Sequence, residues 1–132
     1  MMNSIDPREC REFILSALLE VAEKTDAEWT PDDIYNALLA GKAFLFMHSF
    51  DSESFVVLSQ YKHPYLNRSV LVVDVAYSKT GDAIDLNQHE LEELAKAADS
   101  GYIEFSSPRA GFKRVAEKHG YQNVCTTYRK KL

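Results

Sequence analysis

The stretch Ser69–Tyr77, reading S-V-L-V-V-D-V-A-Y, limits what this chain can fold into more than any other. Four of its nine residues are valine, and Asp74 alone interrupts the apolar run from Val70 to Ala76. β-Branched side chains pack well on a pleated surface, and a half-exposed strand would alternate with polar residues. The run therefore predicts a strand covered on both faces, at the centre of a sheet. The loop Ser78-Lys79-Thr80-Gly81-Asp82 follows, and then Asn87–Ala98, whose apolar spacing predicts a helix. Strand, loop and helix in that order put backbone N–H groups at the carboxyl edge of a sheet, where α/β folds bind ligands.

The segments before this strand are punctuated by capping signals. Asp6-Pro7-Arg8-Glu9 combines an N-cap acid, proline at the first helical position and an acid in the first turn. Ile14, Leu15, Leu18, Leu19 and Ala22 then recur at helical spacing, predicting a helix to about Lys24. Thr30-Pro31-Asp32-Asp33 repeats the device, with Ile34, Ala37 and Leu38 on the buried face, Gly41 as a left-handed cap and Trp29 as an apolar staple. The period then becomes that of strands: Ala43–His48 and Phe55–Tyr61 flank the polar Asp51-Ser52-Glu53-Ser54 and read as an antiparallel hairpin. Beyond the helix at 87–98, Gly101 introduces a short strand, Tyr102–Ser106, parallel to Ser69–Tyr77. Ser107-Pro108 starts a last helix carrying Phe112, Val115, Ala116 and His119 on one face. Gly120 ends it, and Val124–Tyr128 reads as a closing strand. The order α-α-β-β-β-α-β-α-β defines a mixed α/β fold in one domain spanning residues 1–132.

Composition narrows the function classes. A formal net charge of −5 argues against a nucleic-acid surface, because neutralising phosphates needs clustered Lys and Arg, and the one dense basic run, Arg129-Lys130-Lys131, reads as a solvated tail. Cys10 and Cys125 lie at opposite ends without C-x-x-C spacing, which fits a reduced compartment. With no long apolar run and no basic-apolar leader at Met1, a soluble cytoplasmic protein with no membrane partner is expected.

The segment order and several words within it resemble the GNAT superfamily of acyl-CoA N-acyltransferases. The resemblance runs from Thr30 to the C-terminus and is clearest over Leu94–Tyr121, L-A-K-A-A-D-S-G-Y-I-E-F-S-S-P-R-A-G-F-K-R-V-A-E-K-H-G-Y. More narrowly, the chain resembles short GNAT-like proteins of phages and prophages, in which S-P-R-x-G-[WF] and a terminal K-x-x-G-[YF] recur. The resemblance implies a mixed sheet with helices on both faces. It also implies acetyl-CoA as cofactor, no metal, and an amine acceptor that is a small molecule or a protein. The strand end Val73, Val75, Tyr77 and the loop Ser78, Lys79, Thr80, Gly81 would hold pantetheine and pyrophosphate, where the two strands splay near Asp74 to Tyr77. The phage likeness implies an alternative: a non-catalytic module, in the host cytoplasm or on a virion, that contacts phage structural proteins.

Two departures from the superfamily bear on activity. Its [QR]-x-x-G-x-[GA] loop is represented by Ser78-Lys79-Thr80-Gly81-Asp82-Ala83, with a single glycine and with Asp82 where a carboxylate repels a diphosphate and Lys79 offsets it. The tyrosine that commonly protonates the departing thiolate is replaced by Ala116, so weak or absent acetyl transfer is expected.

Acid and base groups are few. Asp74, on the strand face defined by Val70, Val72 and Ala76, would have its pKa raised by burial and suit proton transfer from an amine. A hydrogen-bonded structural carboxylate, or one facing solvent at a sheet opening, fits the same position. Glu104 on the neighbouring strand is the second catalytic candidate. Arg109 opposes the macrodipole at its helix start and needs a partner, either an internal carboxylate such as Asp74 or Glu104 or a bound anion. His48 and His119 read as structural, and Cys125 as a packed thiol. His89-Glu90-x-x-Glu93 lacks the second histidine of a metal motif and reads as a first helical turn capped from Asn87 to Glu90.

Overall fold

The computed structural model describes residues 2–48, 51–79, 83–106 and 112–132. Five strands form one sheet in the order β1 (Met2–Ser4), β2 (Phe44–His48), β3 (Asp51–Lys62), β4 (Ser69–Tyr77) and β5 (Ser100–Phe105). The first four are successive antiparallel neighbours, and β5 runs parallel to β4. The helices are α1 (Arg11–Thr25), α2 (Pro31–Leu39), α3 (Ala83–Ala97) and α4 (Phe112–Lys118). This is a mixed α/β architecture with helices on both faces of the sheet.

Local signals set the helix ends. Asp6 accepts from the Arg8 backbone, opening a 3-10 turn at Pro7–Cys10 that leads into α1. Thr30 accepts from the Asp33 N–H while the Asp33 carboxylate accepts from the Thr30 N–H, a reciprocal capping box. Gly41 and Gly120 take positive φ after α2 and α4, where a Cβ would be strained.

Alternation along β3 divides the core in two. Phe55 and Val57 point to α1 and α2, where they pack with Ile14, Leu18, Tyr35 and Leu38. Val56 and Leu58 point the other way, to Ile84, Leu91 and Ala95 of α3, with Phe112 and Val115 of α4 beside them. Burying each of these large apolar side chains contributes about 1.5–3 kcal/mol. The sheet is thus a shared floor for two helical layers.

Several expectations are corrected. Ser69–Tyr77 has the expected bounds but stands next to the edge strand; β3 is the middle of the sheet. Asp51–Ser54 belongs to β3 rather than to a turn, and Ser54 is buried. The strand β1 was not expected; its main-chain pairing to β2 comes from residues without a strand pattern. α3 starts four residues before Asn87, so Asn87 is no cap: it is buried in the helix and donates from Nδ2 to the Ala83 carbonyl. Val124–Tyr128 is not a strand but an exposed segment without regular structure, and Cys125 on it is exposed rather than packed.

Candidate functional site

The register of β4 against β3 shifts at one residue. Leu58 pairs with Val73 and Val57 with Val75, so Asp74 is the extra residue of a β-bulge. The side chains record the phase change: Leu71 and Val73 face α3, then Val75 faces α1 and α2, and Ala76 returns to the α3 side. The expectation that Asp74 shares a face with Ala76 is therefore corrected. Asp74 accepts a hydrogen bond from Ser59, and Ser59 pairs with Val72 on the α1 side of the sheet. The carboxylate opens to solvent, yet the apolar strand around it withholds enough water to raise its pKa, against the lowering effect of the Ser59 hydroxyl.

Pairing between β4 and β5 ends immediately before the bulge. Val72 pairs with Glu104 and Val73 with Phe105, and among the described residues no strand bonds to that side of β4 from Asp74 to Tyr77. Pairing with β5 thus stops at the start of the segment where a splay is expected, and the chain from 107 to 111 lies outside the described residues. Phe105, the last residue of β5, meets the ring of Tyr121 at 5.0 Å and that of Phe112 at 5.8 Å on the α3 side of the sheet.

Glu104 lies one strand over from Asp74 and on the same face, since Ile103 and Phe105 on either side of it pack toward α3. The Tyr61 hydroxyl donates to both of its oxygens at 3.1 and 2.9 Å, and that bond to Glu104 raises the Tyr61 pKa. The fold thus brings Asp74 and Glu104 to one sheet face. Sequence reasoning missed their partners Ser59 and Tyr61, although strand alternation from Phe55 places both on that face.

Tyr77 ends β4 stacked on Phe55 at 5.3 Å, with Phe13 of α1 edge-on at 6.2 Å. Its hydroxyl donates to Glu20 at 3.2 Å, and burial followed by that bond raises its pKa. Ser78 is buried, and the Lys79 ammonium sits 2.8 Å from Glu53. Thr80, Gly81 and Arg109, the remaining predicted binding residues, lie outside the described residues. At the start of α3, Asp85 holds Lys118 at 2.9 Å and His119 at 2.6 Å, and Gln88 accepts from the Tyr121 hydroxyl at 2.9 Å. Burial raises the Tyr121 pKa. Among the described residues no group of three His, Cys, Asp or Glu side chains is placed to hold a metal, and no helix is long and apolar enough to cross a membrane.

The five-stranded mixed sheet with helices on both faces matches the GNAT fold, and solved acetyltransferase structures share it at low sequence identity. The chain is similar to the ribosomal-protein-alanine N-acetyltransferase of Brucella melitensis biovar Abortus 2308, with a TM-score of 0.71 and 17% identity over 100% of this chain and 99% of that one. It is similar to an aminoglycoside acetyltransferase from an uncultured soil metagenomic sample, with a TM-score of 0.67 and 13% identity over 100% and 97%. A probable acetyltransferase matches with a TM-score of 0.73 at 10% identity, over 100% and 96%. No family model matches the sequence, and no curated protein matches it significantly.

Proposed function

We propose that this chain is an N-acyltransferase that uses acetyl-CoA and turns over slowly. The observation that carries the reading is the end of β4–β5 pairing at Val73: among the described residues, the edge of β4 from Asp74 to Tyr77 has no strand partner on the β5 side. Pantetheine, a chain with two amides, fits such an edge as an added strand fits a sheet. The backbone of Val73, Val75 and Tyr77 would hold it, with the loop from Ser78 to Gly81 and the start of α3 beyond. Lys79 brings a cation to that loop, and Arg109 supplies a further one for an anion.

Bound acetyl-CoA supplies the thioester that an amine attacks and the thiolate that departs. Asp74, with its raised pKa and its opening to solvent, takes the proton that the amine nitrogen loses as the amide forms. Glu104, on the same face, orients a cationic acceptor, a small amine or a protein amine. Protonation of the thiolate is the weak step: Ala116 has no proton to give, and the hydroxyls of Tyr77 and Tyr121 both have raised pKa values. Slow turnover follows from that missing acid.

Calorimetry with acetyl-CoA and with CoA tests the reading, with Gly81→Glu as the variant that places a carboxylate in the loop before α3. Saturable binding that the variant weakens is the expected result. Heat-silent titrations at high protein concentration would instead favour a non-catalytic module that keeps the fold and acts through protein contacts.

A further inference from the structure

Part of one sheet face is left outside both helical cores. The registers of β3, β4 and β5 set Tyr61, Val70 and Tyr102 in one row and Ser59, Val72 and Glu104 in the next, with Asp74 following on β4. Residues two apart on a strand share a face, so both rows lie on the side that carries Phe55 and Val57. α1 and α2 pack there on Phe55, Val57 and Val75, and Val70 belongs to neither core. Val70 is nonetheless fully buried. The Tyr61 hydroxyl accounts for this: to reach Glu104 from β3 it crosses β4, so its ring lies over Val70. Tyr102 flanks Val70 on the other side, and the two tyrosines are 40% and 45% exposed.

Charge runs one way along this patch. A Cβ added to Gly101 would stand 2.7 Å from Nε of Arg68, so that guanidinium lies over the start of β5, one residue before Tyr102. Glu104 and Asp74 lie toward the other end, where β4–β5 pairing stops, and among the described residues no cation pairs with either. We propose that the acceptor carries a second cation and that this patch binds it: an ammonium or guanidinium rests on the faces of Tyr61 and Tyr102 and pairs with Glu104, while the amine to be acylated reaches Asp74. The inference rests on the acyltransferase reading and narrows its acceptor to dications. A tyrosine face attracts a cation through its ring quadrupole, and Glu104 is already oriented by the Tyr61 hydroxyl, so little side-chain freedom is lost on pairing. One strand across and two residues along puts Asp74 and Glu104 about 8 Å apart at Cα, a separation that a short aliphatic diamine spans and that residues i and i+2 of an extended peptide approach. Arg68 repels a cation from the far end of the patch and so turns the ligand toward Asp74.

Cadaverine and pentylamine differ only in the second ammonium and serve as probes. Chemical-shift titrations of the full chain should give cadaverine an affinity about tenfold above that of pentylamine. Glu104→Gln and Tyr102→Ala should each collapse that ratio, and Tyr102→Phe, which keeps the ring, should preserve it. Two capped peptides separate the sources of such a dication: one has lysine and arginine two residues apart, and the other has alanine in place of the arginine. A larger ratio for the peptide pair than for the amine pair makes the acceptor a protein, and the reverse makes it a free oligoamine. Affinities that do not differ within either pair overturn the proposal, as does a cadaverine preference that Glu104→Gln retains. A parallel titration with acetyl-CoA keeps the two readings apart. If acetyl-CoA binds and neither pair differs, the acyltransferase reading stands and the second-cation site falls. If acetyl-CoA titrations are silent and the Glu104-dependent preference is present, the cation site stands without the chemistry.

Discussion

Nε2 of His119 lies 2.6 Å from Oδ1 of Asp85, joining the end of α4 to the first turn of α3. Lys118 reaches the same carboxylate at 2.9 Å, and the bonds from Lys118 and then His119 hold the Asp85 pKa below its usual value. A depressed carboxyl stabilises the fold above its unfolded pKa of about 3.9, and the contribution is lost as the pH falls through the lower folded value. Asp85→Asn should therefore unfold at lower urea concentration than the wild type at pH 7. The difference should close as the pH is taken below about 3.9.

Asp74 has the opposite sign. Its pKa is raised, so its contribution is complete below about 3.9 and is lost as the pH rises through the folded value. Asp74→Asn should melt above the wild type at pH 7, with the gap shrinking toward pH 3. Ser59→Ala removes the bond that lowers this pKa, so it should deepen the neutral-pH penalty. Because the same carboxylate is the proposed base, Asp74→Asn should also cost about 10² to 10⁴ in turnover and leave acetyl-CoA affinity unchanged. A thermal melt series with a paired CoA-release assay reads both effects.

Phe55 is fully buried between Phe13 and Tyr77, with ring centroids at 6.0 and 5.3 Å. Truncation to alanine removes the ring under the end of β4 at Tyr77. Phe55→Ala should cost about 3–5 kcal/mol by denaturant unfolding. Tyr77→Phe, which keeps the stack and loses only the solvent-exposed bond to Glu20, should cost far less than Phe55→Ala.

Which parts of this fold are legible in the sequence depends on whether local chemistry decides them. The bounds of Ser69–Tyr77 and the Thr30–Asp33 capping box follow from side-chain stiffness and from a hydroxyl and a carboxylate three residues apart. The bulge at Asp74 does not. With Val72, Val73, Val75 and Ala76 around it, a run apolar on both faces has no period-two signal to show that one residue has been added. Ser54 reads as turn because it is polar; it lies within β3 at the irregularity where pairing with β2 passes from Met47–Phe55 to His48–Asp51, which no local pattern encodes. The start of α3 was legible in principle: Ile84 and Leu91 are both buried, seven residues apart, and Asp85 is an ordinary first-turn acid. Val124–Tyr128 has a strand's composition, but a strand also needs an edge to bond to, which no single segment encodes.

The missing acid gives the sharpest test of the chemistry. Ala116 stands four residues before Gly120, half-buried on α4, one residue after Val115, which packs against the α3-side core. Its carbonyl accepts from the N–H groups of His119 and Tyr121, so the backbone there already serves the helix end whatever the side chain. A tyrosine at this position keeps helical geometry and adds a hydroxyl at the place where the superfamily's resemblance sets its acid. Ala116→Tyr should raise CoA release with polyamine, aminoglycoside or peptide acceptors, by up to the 10² to 10⁴ or so that a general acid contributes, without tightening acetyl-CoA binding. Robust turnover by the wild type would show that another group already donates the proton, with Tyr121 the first to replace by phenylalanine. A variant that folds, binds acetyl-CoA and remains inactive would place the defect at Asp74 or in the acceptor rather than at the acid.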